Sequence, residues 1–307
     1  MSGRAALVFP GQGSQRHGML ERLPDPPAAS RLIDAAEALS GLDLRAVAAD
    51  GTPEQLSDTR AAQPLLYLAD WAWGHELMSA GLAPVAMAGH SLGELAALAV
   101  AGVFSVEAGL ELVVERARLM AECAAATPGG MSAVLGLDAE TTSEAVRGAA
   151  DVWIANDNGP GQMVLSGTLA GIEEAEARAR DAGAKRIVRL QVAGPFHSPL
   201  MAPAADAFAD LLRDTVFGDA SVPIVQDSDP RATTDPDDLK ARLIAQIVAP
   251  VRWTGVMAEL MRLGADTLIE AGPGCVLAGL ARRVPGLRAI PVEEVGVEGA
   301  LEEVGQG

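Results

Sequence analysis

Val85-Ala86-Met87-Ala88-Gly89-His90-Ser91-Leu92-Gly93 is a short apolar run that breaks into a tight turn, and Ala- and Leu-rich sequence continues from Leu92 to Val100. The run reads as a buried strand and the Ala/Leu segment as a helix. Gly-x-Ser-x-Gly between a strand and a helix is a nucleophile elbow, whose flanking glycines relieve crowding in a turn that holds the serine in a strained conformation. The Ser91 hydroxyl then stands at a helix N-terminus, where a backbone N–H and the helix dipole favour developing negative charge.

The same grammar extends outward from the elbow. Ala5 to Phe9 reads as a buried strand that ends in the glycine turn Pro10-Gly11-Gln12-Gly13, with helices expected from about Ala28 to Leu39 and near Leu65 to Ala80. After Phe104 a helix starts with Ser105 as N-cap and Glu107 in its first turn, and buries Leu110, Val113, Val114, Ala117 and Met120. It ends before Thr127-Pro128-Gly129-Gly130. The rhythm then changes to strand Met131–Leu137, helix Thr142–Ala149, strands Val152–Asn156 and Gln162–Ser166, helix Ile172–Ala182 and strand Arg186–Val192. That order is βαββαβ, the ferredoxin-like pattern. Later strands are expected at Val222–Gln226, Thr267–Ile269 and Ala289–Val292, and a turn with a helix start at Asp235-Pro236. The fold class is therefore α/β: an α/β-hydrolase-like core with a parallel sheet over residues 1–127 and 195–307, with a ferredoxin-like subdomain inserted over 128–194.

At 307 residues and 49% apolar content, the chain can bury one large core and a smaller one. A formal net charge of -18 argues against nucleic acid or an anionic membrane as a general partner, and an acidic partner must find a local basic patch. Only Lys185 and Lys240 are lysines, a composition bias that a solvated surface tolerates. Cys123 and Cys275 are too few and too far apart for a disulfide framework, which suits a reducing cytoplasm. No metal site is suggested. The N-terminal apolar run is too short for a signal peptide, and no stretch of roughly 18 apolar residues predicts a membrane span.

A serine nucleophile needs a base, and the four histidines allow selection by elimination. His90 adjoins the serine on a sharp turn, so its side chain should point elsewhere. His17 follows the first glycine turn and His75 lies on a helix beside Trp71, where packing or surface roles suffice. His197, in the loop Gly194-Pro195-Phe196-His197-Ser198-Pro199, remains, and it follows its serine in the chain order of α/β-hydrolases. No acid announces itself as a third member. Asp206, Asp227 and Asp229 are available, and each reads better as a surface residue.

Together the motifs resemble malonyl-CoA:acyl carrier protein transacylases and the related acyltransferase domains of polyketide synthases. The resemblance runs along nearly the whole chain. It rests on Phe9-Pro-Gly-Gln-Gly-Ser-Gln15, Thr59 with Gln63-Pro64, Gly89-His-Ser-Leu-Gly-Glu94, and Arg116 four residues before Met120. It continues through Asn156 with Pro160-Gly-Gln162, Gly194-Pro-Phe-His197, Gln246 with Pro250-Val-Arg-Trp253, and Gly272-Pro-Gly274.

The resemblance implies that Ser91 carries a malonyl ester, that His197 is the general base, and that the backbone N–H groups of Gln12 and Leu92 form the oxyanion hole. It implies that Arg116 binds the substrate carboxylate, since periodicity alone does not choose Arg116 over Arg118, which reads as a solvated or salt-bridged residue. The histidine is then held by main-chain carbonyls near Gln246, so a Ser-His dyad suffices. Gln63, His90, Asn156 and Gln162 support the site, and Phe196 matches the pattern of malonyl-selective domains, although it can equally be a packing aromatic. Cys275 departs from a basic residue common in the family and reads as a small buried apolar side chain.

The implied reaction takes malonyl from malonyl-CoA to the phosphopantetheine thiol of an acyl carrier protein, for fatty acid synthesis, with no cofactor of its own. A trans-acting acyltransferase of a polyketide synthase is the alternative. A thioesterase or esterase fits less well, because a His-Gly-Gly-Gly oxyanion loop is missing and a carboxylate-binding arginine is present. A non-catalytic carrier-docking subunit conflicts with the intact Ser91, His197 and Arg116. Carrier proteins of this kind are acidic, so arginines or Lys185 near the cleft should receive them.

Overall fold

The computed structural model describes residues 4–305, so the domain limits drawn at residues 1 and 307 lie outside the described residues. The chain begins with β1 (Ala5–Phe9), α1 (Pro26–Ser40), α2 (Leu44–Asp50), α3 (Pro53–Ser57), α4 (Thr59–Ser79), β2 (Met87–Gly89), α5 (Gly93–Val100) and α6 (Val106–Ala126). A second group comprises β3 (Gly130–Leu135), α7 (Ala139–Arg147), β4 (Val152–Gly159), β5 (Gln162–Gly167), α8 (Leu169–Asp181) and β6 (Arg186–Arg189). The last part holds α9 (Ala202–Asp214), β7 (Ile224–Val225), α10 (Pro236–Gln246), α11 (Trp253–Arg262), β8 (Thr267–Glu270), α12 (Val276–Ala281), β9 (Arg288–Pro291) and α13 (Val292–Gly305).

Five parallel strands form one sheet in the order β7-β2-β1-β8-β9. Helices cover both of its faces, which explains why β1 is apolar throughout. Ala5, Leu7 and Phe9 join one core cluster, while Ala6 and Val8 join the other with Trp253 and Met257. From β1 the chain adds β2 and β7 on one side, then returns to place β8 and β9 on the other. Ligand sites in such sheets collect at the carboxyl ends of the strands where the order reverses. The elbow after β2 and the glycine turn after β1 both sit there.

The second sheet is antiparallel in the order β4-β5-β3-β6, the ferredoxin-like arrangement expected from the sequence, with α7 and α8 over its own small core. It is tied to the larger unit by backbone bonds from Val251 N–H to the Ala155 carbonyl and from Asp157 N–H to the Val251 carbonyl, each 2.8 Å. Register shifts in β4 between Ile154 and Asn156, and between Asp157 and Gly159, turn this strand toward the elbow.

Some boundaries differ from the sequence expectation. Helix α4 starts at Thr59 rather than near Leu65, because the Asp58 side chain caps it by accepting the Arg60 N–H and Pro64 is tolerated inside. In α6 Ser105 is the N-cap as expected, but Leu112 is buried while Val114 is only half-buried. Strand β7 is reduced to two residues. Among the described residues no helix is long and apolar enough to cross a membrane.

Candidate active site

Ser91 has φ 51°, a left-handed conformation that costs a non-glycine residue roughly 1–2 kcal/mol. The glycines around it are sterically required. A Cβ on Gly89 would lie 2.0 Å from Glu94 N, and one on Gly93 would lie 2.2 Å from the Phe9 carbonyl oxygen. The elbow is thus pressed against the end of β1, which brings the Pro10–Gly13 turn beside the nucleophile. His197 also has a positive φ of 56°, so both members of the expected dyad carry backbone strain held by their surroundings.

His197 Nε2 lies 2.8 Å from Ser91 Oγ. Its Nδ1 lies 3.1 Å from the carbonyl oxygens of Gln246 and Ala249. Gln246 is the last residue of α10, where helical carbonyls run out of intrahelical partners, so the helix end supplies the acceptors. Two acceptors at Nδ1 require the proton there, which leaves Nε2 free to take the serine proton. Burial, then the charge of Arg116 and then His90, bring the His197 pKa down to about 3, so the ring is neutral at ordinary pH.

Arg116 is 1% exposed, and its three hydrogen-bond partners are neutral. One terminal nitrogen donates to Gln63 Oε1 at 2.6 Å, and the other donates to Gln246 Oε1 at 3.0 Å and to Ser91 Oγ at 3.2 Å. Its Nε has no partner among the described residues. Burial lowers its pKa to about 10 against the opposing pull of Asp227 and Glu94, so it stays charged. A desolvated cation held by amides beside a nucleophile is a receptor for an anion. Arg118, by contrast, lies outside on α6 and is tied to Glu115 and Glu122.

The pair opens into a cavity of about 160 Å³ whose lining includes Gln12, Leu92, Arg116 and Phe196. Among the described residues the backbone N–H groups of Gln12 and Leu92 have no acceptor, so both remain available to an incoming oxyanion. The Gln12 side chain is turned away, with Nε2 on the Ser57 carbonyl and Oε1 receiving the Thr59 hydroxyl. Phe196 is buried at the cavity wall. Gln162 also lines the cavity, with Oε1 on Arg283 at 2.8 Å.

His90 does point away from the serine. Its Nε2 lies 2.9 Å from Asn158 Oδ1 and 3.5 Å from Asn156 Nδ2, and its ring packs against Trp253. His75 stacks on Trp71, and His17 bonds the Gly51 carbonyl. Among the described residues no group of three or more His, Cys, Asp or Glu side chains is placed to hold a metal ion.

Two expectations are corrected. Asp227 is not a surface residue: it is fully buried at the end of β7, and its Oδ2 accepts the Ser91 N–H at 2.7 Å. Among the described residues it makes no hydrogen bond to His197, whose Nδ1 faces the Gln246 and Ala249 carbonyls instead, so it is not placed as a triad acid. The signal available in the sequence was its place directly after an apolar strand, at the carboxyl edge where such sites form. Cys275 is exposed rather than buried, because it precedes α12 on the outer side of the Gly272–Gly274 turn. Asn158 and the Ala249 carbonyl are site contacts that the sequence motifs do not single out.

Residues 6–296 match the family model described as the acyl transferase domain. A malonyl CoA-acyl carrier protein transacylase of Bacillus subtilis is 40% identical over 286 residues, covering 92% of this chain and 90% of the relative. The structure of the transacylase of that name from Coxiella burnetii superposes with a TM-score of 0.92 at 33% identity, covering 99% of both chains. A malonyl-transacylase solved in complex with a type II polyketide synthase acyl-carrier protein gives a TM-score of 0.89 at 37% identity, covering 98% of this chain and 99% of that one.

Proposed function

This chain belongs to the acyl transferase domain family, among the malonyl-CoA:acyl carrier protein transacylases, and from that premise we propose that it moves malonyl groups from malonyl-CoA to an acyl carrier protein through an ester on Ser91. The observation that carries this reading is the buried Arg116 guanidinium, served only by neutral groups and 3.2 Å from the Ser91 hydroxyl.

The malonyl carboxylate takes the place of those weak partners and pairs with Arg116. Ser91 Oγ attacks the thioester carbonyl while His197 Nε2 takes the hydroxyl proton. The carbonyl oxygen, now negative, is held by the Gln12 and Leu92 N–H groups, each such donor commonly being worth about 10²- to 10³-fold in rate. Collapse breaks the carbon–sulfur bond, and His197 returns the proton to the departing thiolate of coenzyme A. The phosphopantetheine thiol of the carrier then repeats the sequence in reverse, leaving free Ser91 and a malonyl thioester. Pairing of the carboxylate with Arg116 also offsets the positive charge that depresses His197, so the base strengthens once the correct substrate is in place.

The chemistry needs no cofactor. Residues 128–194 act as an inserted subdomain that closes one wall of the cleft, and the unbridged Cys123 and Cys275 agree with a reducing cytoplasmic setting. Lys185 and Arg186 are exposed beside this wall: Lys185 covers Gly136, whose N–H bonds the Gly161 carbonyl next to Gln162 of the cavity lining. Neither has an acidic partner among the described residues, so both can receive an acidic carrier.

Transfer is separated from hydrolysis by following labelled malonyl-CoA with and without carrier. Carrier loading is expected to outrun release of free malonate by at least about 100-fold in rate, or roughly 2.7 kcal/mol of barrier. Malonate release that equals or exceeds loading would assign the protein to the thioesterases.

A further inference from the structure

The backbone of the nucleophile is held from both sides by buried side chains that lie far away in the chain. Gln246 Nε2 donates to the Ser91 carbonyl at 2.9 Å, and Asp227 Oδ2 accepts the Ser91 N–H at 2.7 Å. Asp227 is in turn fixed: its own N–H donates to Glu94 Oε1 at 2.5 Å, and its carbonyl accepts the Arg252 N–H at 3.0 Å. Glu94 is itself fully buried and held by Gln226 Nε2 at 3.3 Å.

We infer that Asp227 is a positioning residue for Ser91, drawing the Ser91 N–H toward the end of β7 so that the strained elbow keeps its hydroxyl on His197 and its next N–H, that of Leu92, on the cavity. Three features of the site require such a group. Ser91 sits at φ 51°, a conformation that a serine leaves unless held. Its N–H lies in a buried turn before the first bond of α5, where no backbone carbonyl receives it. The Asp227 carboxylate is the one acceptor that the described residues offer it.

Among the described residues the remaining Asp227 oxygen, Oδ1, has no hydrogen-bond partner, so the Ser91 N–H is the group the carboxyl holds. Burial pushes the Asp227 carboxyl up, and the neighbouring Arg116 charge opposes that rise.

The inference rests on the Ser91 reading above, and its test keeps the two apart. Rapid-quench acylation by malonyl-CoA gives an amplitude, the fraction of chains that accept malonyl on Ser91, and a rate constant per competent chain. Failure of the parent to acylate Ser91 would remove the proposed function itself. With the parent active, Asp227→Ala is expected to keep the amplitude and a KM within about threefold while the rate constant falls about 10- to 100-fold, as expected for loss of a hydrogen bond to a charged acceptor. Asp227→Asn, which keeps a carbonyl oxygen of the same reach, is expected to recover to within about fivefold of the parent. If Asp227→Ala does not fold, Asp227→Thr replaces it, since its hydroxyl is one bond too short to reach the N–H. A rate constant within twofold of the parent in the Ala or Thr variant overturns the inference, as does an Asn variant that is as slow as they are.

Discussion

Replacing Arg116 by alanine should convert a malonyl-selective site into an indifferent one, and the structure sets the size of the effect. The guanidinium is buried, its hydrogen-bond partners among the described residues are the amides of Gln63 and Gln246 and the Ser91 hydroxyl, and a malonyl carboxylate becomes the one charged group bonded directly to it. Removing one member of a buried ion pair costs about 3–5 kcal/mol, because the other charge is left unpaired. At about 1.36 kcal/mol per tenfold that is roughly 10²·²- to 10³·⁷-fold in kcat/KM. The two glutamine amides stay behind and can turn toward the carboxylate, so the lower half of that range is expected.

Acetyl-CoA has no carboxylate and should change by less than about tenfold. Its direction is upward, since removal of the cation relieves part of the depression of His197. The assay is the kcat/KM of carrier loading for malonyl-CoA and acetyl-CoA in parent and variant, with Ser91 labelling to count competent chains. The expected result is a malonyl-to-acetyl ratio lower by about 100-fold or more. A ratio within threefold of the parent would refute the role given to Arg116, and with it the step from acyl to malonyl.

The buried neutral His197 also makes stability depend on pH. The unfolded imidazole takes up a proton below about 6.5, while the folded one resists until about 3, so its contribution is present above 6.5 and is lost as pH falls. Between pH 6.5 and 5 the loss is about 2 kcal/mol, and denaturant titrations of the parent against His197→Gln should show the parent losing that much more stability over this interval. The raised Asp227, near 7, works in the opposite direction but is common to both proteins and cancels in the difference. Equal slopes would mean that His197 is not held neutral by burial. Carrier loading should also slow as salt rises and on Lys185→Glu, whereas self-acylation by malonyl-CoA should change little under either perturbation. Salt-independent loading would place the carrier elsewhere.

The parts of the site that were legible in the sequence are those imposed by local geometry. Gly89 and Gly93 are needed because a Cβ at either would strike backbone, and a strand that feeds such a turn and then a helix has few other uses. His197 could be reached by elimination because only four histidines exist, and three have other partners in the fold. The βαββαβ order followed from alternation of short apolar runs with helical stretches, and its sheet order agrees. Arg116 was not separable from Arg118 by periodicity: both lie on α6, and what decides between them is the tertiary position of Gln63 and Gln246.

Asp227 was misread for a related reason. An isolated aspartate belongs at the surface, and only the meeting of β7, α5 and the elbow makes it a buried acceptor. Cys275 erred in the opposite sense, since a small soft side chain can pack inside but here precedes α12 on the exposed side of its turn. The start of α4 depended on a cap from Asp58 and on a proline accommodated within the helix, neither of which apolar spacing reveals.

The central claim is that Ser91 carries the malonyl group, and peptide mapping by mass spectrometry after incubation with malonyl-CoA alone tests it most directly. One malonyl adduct per chain is expected, on the peptide that contains Ser91, discharged by addition of carrier and absent from Ser91→Ala. An adduct that persists in Ser91→Ala, or that resides on another peptide of the parent, would contradict it.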